Sequence, residues 1–249
     1  MRIAVAVKQV ALLDDEVELA PDGLDVERDL LTKSLNEWDA CALEEAVRVR
    51  ERLGDVEVVA ITVGDAETEP ALRRCLALGA DRAVRVDAAP RDPVSTARAL
   101  AAAIGREPVD LVLAGAQSSD SVQGSTGTAL AELLGLPQVA IVTQLVWDGA
   151  GPATVDRELE GGLVDVVEVD MPAVLTIQTG INEPRYANLR AIKQAEQREI
   201  EVVEADPGEP AYRVRRMFAP SRSGGAEMIE GDAASIAGRI VTIVRERLG

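Results

Sequence analysis

The sequence predicts an α/β fold: an open, mostly parallel sheet with helices on both faces. Short apolar runs rich in valine and isoleucine alternate with longer segments of helical period, which is the pattern of successive βαβ units. Hydrophobic residues make up 47% of the 249 residues, enough to form a core for a domain of this kind. Because crossovers between parallel strands are right-handed, we expect helices on both faces of the sheet.

The strands are predicted from short apolar runs that are bounded by polar or turn residues. Runs of about four to eight residues have the length of buried strands and are too short for helices. The predicted strands are residues 3–7, 56–63, 82–86, 109–114 and 139–142.

The intervening segments predict helices. In residues 37–53 the apolar side chains recur near the helical period, and charged residues fill the opposite face. Gly79 and Gly135 end two helices, as glycine commonly does, and Pro93 suits the first turn of another. The predicted helices are residues 37–53, 67–78, 94–104 and 126–134.

Two stretches depart from this alternation. Residues 12–34 contain the turn signal Pro21-Asp22-Gly23 between short alternating segments, so we expect an excursion, in the form of a hairpin, at the edge of the sheet. Residues 143–177 predict a β-meander followed by a buried strand, because short alternating runs flank glycine-containing turns.

We place the main domain at residues 1–200 and a C-terminal arm at residues 201–249. The arm contains irregular stretches rich in proline and glycine and one predicted helix, residues 232–248. It has too few apolar residues for a core of its own. We therefore expect it to pack on the main domain or on another chain.

Composition excludes several classes of function. The chain has no histidine, which rules out Ser-His-Asp and Cys-His catalysis and histidine metal sites. A net charge of −17 disfavours nucleic acid as a partner. No apolar run approaches the ~20 residues that span a membrane, and the first residues predict a strand rather than a signal segment. We expect a cytoplasmic protein without a metal, in which Cys41 and Cys75 are small buried side chains.

A candidate ligand site follows from the sheet itself, since ligands bind at the carboxyl ends of parallel strands. Residues 6–9 and 61–65 leave the first two strands, and residues 115–128 leave the fourth and open a helix. The third loop offers glycines, hydroxyls and a helix N-terminus, as a phosphate-binding loop does. It lacks a P-loop lysine and every other cation. The alternative is an ordinary polar loop with a Ser or Thr helix cap.

Two further features are candidates for contact with a ligand or partner. Asn36 either caps the next helix or contacts a ligand, and Trp38 is either partly buried or a stacking residue. Residues 182–195 follow a buried strand and carry Tyr186, Leu189 and Ile192 as a possible apolar stripe. That stripe either packs on the domain or docks another protein.

Taken together, these motifs resemble the β subunit of electron transfer flavoproteins over residues 1 to about 200. The fold that the resemblance implies is the adenine-nucleotide-binding α/β fold of that family. The matching segments are Val5-Ala6-Val7-Lys8-Gln9-Val10, Ser34-Leu35-Asn36, Ala42-Leu43-Glu44-Glu45-Ala46, Ala77-Leu78-Gly79-Ala80-Asp81-Arg82, the loop 120–127, Arg157-Glu158-Leu159-Glu160-Gly161-Gly162-Leu163, Pro172-Ala173-Val174 and Asn182-Glu183-Pro184-Arg185-Tyr186-Ala187.

The resemblance implies a non-catalytic electron carrier subunit. Such a β subunit pairs with an α subunit that holds most of the FAD, and the arm 201–249 is expected to pack on that partner. The heterodimer takes electrons from flavin dehydrogenases of the acyl-CoA dehydrogenase type, in fatty acid β-oxidation. It passes them to a membrane quinone oxidoreductase or a similar acceptor.

The resemblance also implies residue roles. Trp38 is expected to lie near the flavin of the complex. The segment around Leu189, with Tyr186 and Ile192, is expected to act as a recognition loop for the partner dehydrogenase. A structural AMP is expected at matching positions: Ala6, Asn36, Val63, Asp120, Gln123, Gly124, Ser125, Thr126, Gly127 and Thr128.

Two alternatives remain beside this prediction. Electron-bifurcating relatives hold a second FAD in place of AMP and oxidise NADH, and a stand-alone nucleotide-binding protein would share the fold without an α subunit. The Gln-Gly-Ser-Thr-Gly run at residues 123–127 is closer to the AMP-binding form of the loop.

Overall fold

The computed structural model describes residues 1–12, 18–27, 31–89, 92–219 and 228–248. The helices are α1 (Glu37–Leu53), α2 (Glu69–Leu78), α3 (Pro93–Ile104), α4 (Thr126–Leu134), α5 (Leu189–Glu196) and α6 (Ala233–Leu248). The strands are β1 (Arg2–Ala6), β2 (Gln9–Ala11), β3 (Lys33–Leu35), β4 (Glu57–Val63), β5 (Arg82–Asp87), β6 (Leu111–Gly115), β7 (Gln138–Val146), β8 (Ala153–Leu159), β9 (Leu163–Val169), β10 (Ala173–Ile177) and β11 (Glu201–Glu204).

Within the described residues, one sheet of nine strands forms the centre of the fold, in the order β11-β5-β4-β1-β6-β10-β7-β8-β9. The strands from β11 to β7 pair in parallel, whereas β7, β8 and β9 form an antiparallel meander. The predicted fold class and the predicted meander are therefore confirmed.

The excursion after β1 is a hairpin where it is described. β2 pairs antiparallel with β3, and a second antiparallel bridge joins Leu19 to Val26 around the predicted Pro21-Asp22-Gly23 turn. The hairpin prediction is confirmed for these residues, while residues 13–17 and 28–30 lie outside the described part of the chain.

Side chains alternate between two buried layers, as strands covered on both faces require. Ile3, Val5 and Leu113 point into the layer formed with α1 and α2. Ala4 and Val112 point into the layer formed with α3 and α4. Helices therefore cover both faces, as predicted, and the two buried cysteines lie in the first layer.

Strand β11 was not predicted, because its sequence Glu-Val-Val-Glu has no apolar run. It pairs in parallel with β5 at the edge of the sheet and buries Val203. The first compact unit consequently runs from Met1 to Arg215, beyond residue 200 where the sequence analysis places the end of the main domain.

The second compact unit runs from Arg216 to Gly249. Its helix α6 begins after Asp232, whose Oδ1 accepts a hydrogen bond from the Ser235 amide at 2.8 Å. None of the described side chains of α6 is buried, although Ile240, Val241 and Val244 are apolar. Among the described residues, no helix is both long and apolar enough to cross a membrane.

Candidate functional site

The candidate site lies where the strand order reverses. From β1 the chain moves to β4 and β5 on one side, and then returns to β6 on the other side of β1. The carboxyl ends of β4, β1 and β6 are therefore adjacent, which is the switch-point geometry that binds ligands in open α/β sheets. The predicted site residues Ala6 and Val63 end β1 and β4, and residues 115–128, hereafter the cradle loop, follow β6.

The fold adds a cation to the cradle loop. Lys8, just beyond β1, extends its ammonium group to Asp120 Oδ1 at 2.6 Å and to the hydroxyls of Ser118 and Ser121 at 3.2 and 3.3 Å. The loop itself has no cation, as its sequence shows, but Lys8 from the neighbouring strand exit brings one to it. Burial raises the pKa of Asp120, but hydrogen bonds from Lys8 and Ser118 outweigh it and leave the pKa below its ordinary value.

Asn36 holds the cradle loop rather than the helix that follows it. Its Nδ2 donates to the Gln117 carbonyl at 2.8 Å, and its Oδ1 accepts from the Ser119 amide at 3.2 Å. The side chain makes no capping hydrogen bond to α1. Capping was one interpretation of this asparagine, and the structure contradicts it because both ends of the amide are engaged by the loop.

Asp39 joins the exits of two strands beneath the site. One carboxylate oxygen accepts the Lys8 amide at 2.8 Å and the other accepts the Gly115 amide at 2.9 Å. The side chain is only 5% exposed, and burial raises its pKa to about 7 despite these hydrogen bonds. A Cβ atom on Gly115 would lie 2.4 Å from Asp39 Oδ1, so only glycine permits this approach.

The start of α4 provides the anion-binding elements of the cradle loop. Ser125 occupies the N-cap position but makes no capping hydrogen bond from its side chain, so the simple cap interpretation is not supported. Gly127 is buried and close to β10, because a Cβ atom there would lie 2.3 Å from Thr176 Cγ2. Gly124 adopts a positive φ of 58°, while Thr126 is half-buried and Thr128 exposed.

This set of donors fits a phosphate group. The first turn of a helix presents backbone N–H groups and partial positive charge, and the Lys8 ammonium contacts the loop before that turn at Asp120. The hydroxyls of Ser125, Thr126 and Thr128 add donors that carry no charge. The residues present can therefore hold the phosphate of a nucleotide.

Trp38 lies at the start of α1, beside Gly115. Its indole Nε1 donates to Gln178 Oε1 at 2.8 Å, and Gln178 Nε2 donates to Glu158 Oε2 at 3.2 Å. The ring is half-buried, as one of its two interpretations expected. The hydrogen bond ties the indole to Gln178, directly after β10.

Comparison with known proteins identifies the family. The family model described as "Electron transfer flavoprotein domain" matches residues 24–207. The chain is 47% identical over 264 aligned residues to "Electron transfer flavoprotein subunit beta" of Methylophilus methylotrophus, with both chains fully covered. It is 37% identical to the human protein of the same name, covering 84% of this chain and 82% of that one.

This chain belongs to the electron transfer flavoprotein β-subunit family. A rice relative, "Electron transfer flavoprotein subunit beta, mitochondrial", is 38% identical over 82% of this chain and 81% of its own. The predicted resemblance is thus confirmed. The relatives of this chain are named as β subunits of an electron transfer flavoprotein, and the chain is an electron-transfer subunit of that family.

In this family member, residues 182–185 are clamped to α1. The Arg185 guanidinium forms a bidentate pair with Glu44, at 2.8 and 3.1 Å, and a second with Glu51, at 2.7 and 3.1 Å. Asn182 Nδ2 donates to the Cys41 carbonyl and to Glu45. Burial raises the pKa of Glu44, but hydrogen bonds from Arg185 outweigh it and leave the pKa below its ordinary value.

The clamp presents a short helix with an exposed apolar start. Asn188 caps α5 by accepting the Ala191 amide at 2.9 Å. At the other end, Arg73 donates to the carbonyls of Ala195 and Glu196, each at 3.0 Å. Of the three predicted stripe residues, Tyr186 and Leu189 are 88% and 79% exposed, whereas Ile192 is half-buried.

Lys8 and Asp39 contact the candidate site but are not among the predicted nucleotide positions, although Lys8 belongs to a loop that was predicted to lie there. The signal for Lys8 was present, since it is one of only three lysines and follows the first strand directly. Asp39 gave no signal, because an acidic residue in the first turn of a helix is ordinary.

Proposed function

We propose that this chain holds AMP in the cradle loop and pairs with an α subunit that holds most of the FAD. The complex then carries electrons from flavin dehydrogenases of the acyl-CoA dehydrogenase type to a quinone oxidoreductase or a similar acceptor. The chain itself is a carrier subunit without a catalytic residue. Family membership and the switch-point geometry support this proposal together.

The main support for AMP is the charge balance of the cradle loop. Lys8 is the cation that the structure brings to this loop, and Asp120 already neutralises it. A single phosphate can bind to the helix N-terminus and hydroxyls beside such a pair. The transfer of a phosphoryl group needs more cations than this, so a nucleotide with a structural role fits the site better than one that is consumed.

The proposed residue roles follow from position. The phosphate would lie at Ser125, Thr126, Gly127 and Thr128, and the rest of the nucleotide at Ala6, Asn36, Val63, Asp120, Gln123 and Gly124. When bound to the α subunit, FAD supplies the redox chemistry. Trp38, which donates to Gln178, is proposed as the residue of this chain that faces the FAD.

The α subunit is proposed to cover α6. This helix exposes Ile240, Val241, Val244 and Leu248, and its described side chains are not buried by this chain. Isolated helices with an exposed apolar face are stable only when that face is packed. The C-terminal arm is therefore proposed to pack on the partner subunit.

The partner dehydrogenase is proposed to bind Tyr186, Leu189 and Ile192. The clamp by Arg185 and the cap by Asn188 hold the start of α5 in one conformation. An exposed apolar side chain on a rigid support is suited to insert into an apolar pocket of another protein.

The proposal is tested by releasing and quantifying the nucleotides of the purified complex. Mass spectrometry and absorbance should give one AMP and one FAD per pair of subunits. Two FAD and no AMP would contradict the AMP assignment and favour a bifurcating type. A stable complex of this chain with itself, formed in the presence of the α subunit, would contradict the heterodimer.

A further inference from the structure

The segment that follows β11, residues 205–212, runs over α3 and is called the strap here. Arg98 on α3 donates to the Glu209 carbonyl at 2.7 Å. Arg106, just after α3, donates to the Glu204 carbonyl at 3.1 Å. Gly208 takes a positive φ of 66°, and a Cβ atom there would lie 3.2 Å from the Arg98 guanidinium. The strap therefore lies on this chain's own first unit.

Asp92 fastens the end of the strap. Its Oδ1 accepts the Ser95 amide at 2.7 Å and so caps α3. Its Oδ2 accepts the amides of Ala211 and Tyr212. One buried carboxylate thus orders both the start of α3 and the backbone that carries the Tyr212 side chain. The backbone of Tyr212 is consequently held next to the start of α3 by a hydrogen bond at its own amide.

Tyr212 in turn reaches the cradle loop. Its phenol hydroxyl donates to Gln123 Oε1, two residues before the N-cap of α4. Because the oxygen of the amide is occupied, the Nε2 group is the end that remains for a ligand. In the described part of the chain, Gln123 Nε2 has no protein hydrogen-bond partner. An amide held in this orientation presents its two N–H donors to a ligand, while its oxygen accepts from the Tyr212 hydroxyl.

We propose that Tyr212 is a positioning residue of the nucleotide site. By holding Gln123 Oε1, it directs Gln123 Nε2 toward an acceptor atom of the bound nucleotide outside the phosphate, such as a ribose oxygen or a base nitrogen. Without the phenol hydroxyl, the amide rotates and presents its oxygen as readily as its nitrogen. The inference rests on the proposed nucleotide site. It extends that site to Tyr212, which follows the residues 24–207 that match the family model.

The test compares Tyr212→Phe with a matched control. Thr154→Val removes a hydroxyl group from an exposed position on β8, outside both the strap and the candidate site. AMP affinity is measured by isothermal titration calorimetry on the full chain after removal of its own nucleotide. Loss of one neutral hydrogen bond of this kind should weaken AMP binding about fivefold in Tyr212→Phe. Thr154→Val should bind AMP as the wild type does.

A double-mutant cycle separates positioning from a general structural effect. If Tyr212 acts through Gln123, then Tyr212→Phe should change AMP affinity little in a Gln123→Ala background. Additive effects of the two changes would overturn the inference. So would equal affinity of Tyr212→Phe and the wild type. Failure of the wild type to bind AMP would overturn the proposed site together with it.

A second variant keeps the strap contact and reverses the proposed donor. Gln123→Glu retains an oxygen for the Tyr212 hydroxyl but places another oxygen where Nε2 lies. Repulsion between this oxygen and the acceptor atom of the nucleotide should then weaken AMP binding at least as much as Tyr212→Phe does. Unchanged affinity in Gln123→Glu would contradict a donor role for this side chain, even if Tyr212→Phe folded poorly.

Discussion

Asp39→Asn is the change that most directly tests the structure of the candidate site. Asp39 accepts the amides of Lys8 and Gly115 through opposite oxygens, and its side chain is almost fully buried. Burial raises its pKa from 3.8 to about 7, while hydrogen bonds from the two amides and from Asn36 and the charge of Lys8 act in the opposite direction. Asparagine keeps the shape of the side chain and removes its titration.

The size and sign of the effect follow from proton linkage. The folded-state pKa lies above the unfolded-state value, so the native protein binds a proton that the unfolded chain lacks between these two values. This contribution to stability therefore grows as the pH falls below about 7 and is lost as the pH rises through it. From pH 8 to pH 5 it amounts to roughly 3 kcal/mol, since two pKa units at ~1.36 kcal/mol each are gained.

The assay is urea unfolding of the wild type and Asp39→Asn at pH 5, 6, 7 and 8. The two proteins share all their other carboxylates. Subtracting their free energies of unfolding at each pH therefore cancels the contribution of those groups. Between pH 8 and pH 5 the wild type should gain roughly 3 kcal/mol of stability relative to Asp39→Asn. Glu37→Gln, an exposed change in the same helical turn, controls for the loss of one charge. A difference that stays constant from pH 8 to pH 5 would refute the assignment of a raised pKa to Asp39.

Three further changes test other parts of the structure. Arg185→Ala should lower the free energy of unfolding by about 2 kcal/mol, measured by urea denaturation, because the buried Glu44 loses its bidentate partner and the arginine is only partly exposed. Leu189→Ala should slow reduction by the proposed partner dehydrogenase about tenfold at unchanged flavin content, because the apolar contact with the partner is lost. Leu24→Ala, at another exposed leucine, is the control. An equal effect of the two changes would contradict a docking role for Leu189. Gly127→Ala should cost about 2 kcal/mol of stability in the same urea assay, because its Cβ meets a buried side chain of β10, and unchanged stability would contradict that close packing.

The parts of the fold that local patterns encode were predictable. Helix α1 appears in the sequence as an apolar stripe at the helical period, and its observed bounds, Glu37–Leu53, match the prediction. The first five strands of the sheet core each correspond to an apolar run. In both cases, the side chains that the sequence orders along one face are the ones that the fold buries.

Features that depend on long-range pairing were not predictable in the same way. β11 has only four residues, and it becomes a strand because the exposed edge of β5 offers hydrogen bonds to it. Lys8 is 112 residues from Asp120 along the chain, so no local pattern places the ammonium in the cradle loop. Both follow from strand order, which periodicity does not specify.

Helix α1 connects the two surfaces proposed for function. Its start carries Asp39 at the cradle loop, and its later turns carry Glu44 and Glu51, which hold Arg185. Between these points Leu43 and Val47 are buried in the core, so the helix behaves as one rigid element over roughly 18 Å at 1.5 Å per residue. A rigid helix fixes the docking segment relative to the candidate nucleotide site without any contact between the two. The Asn-Glu-Pro-Arg run is therefore best explained as a fastening to α1, which leaves Tyr186 and Leu189 as the side chains available to a partner.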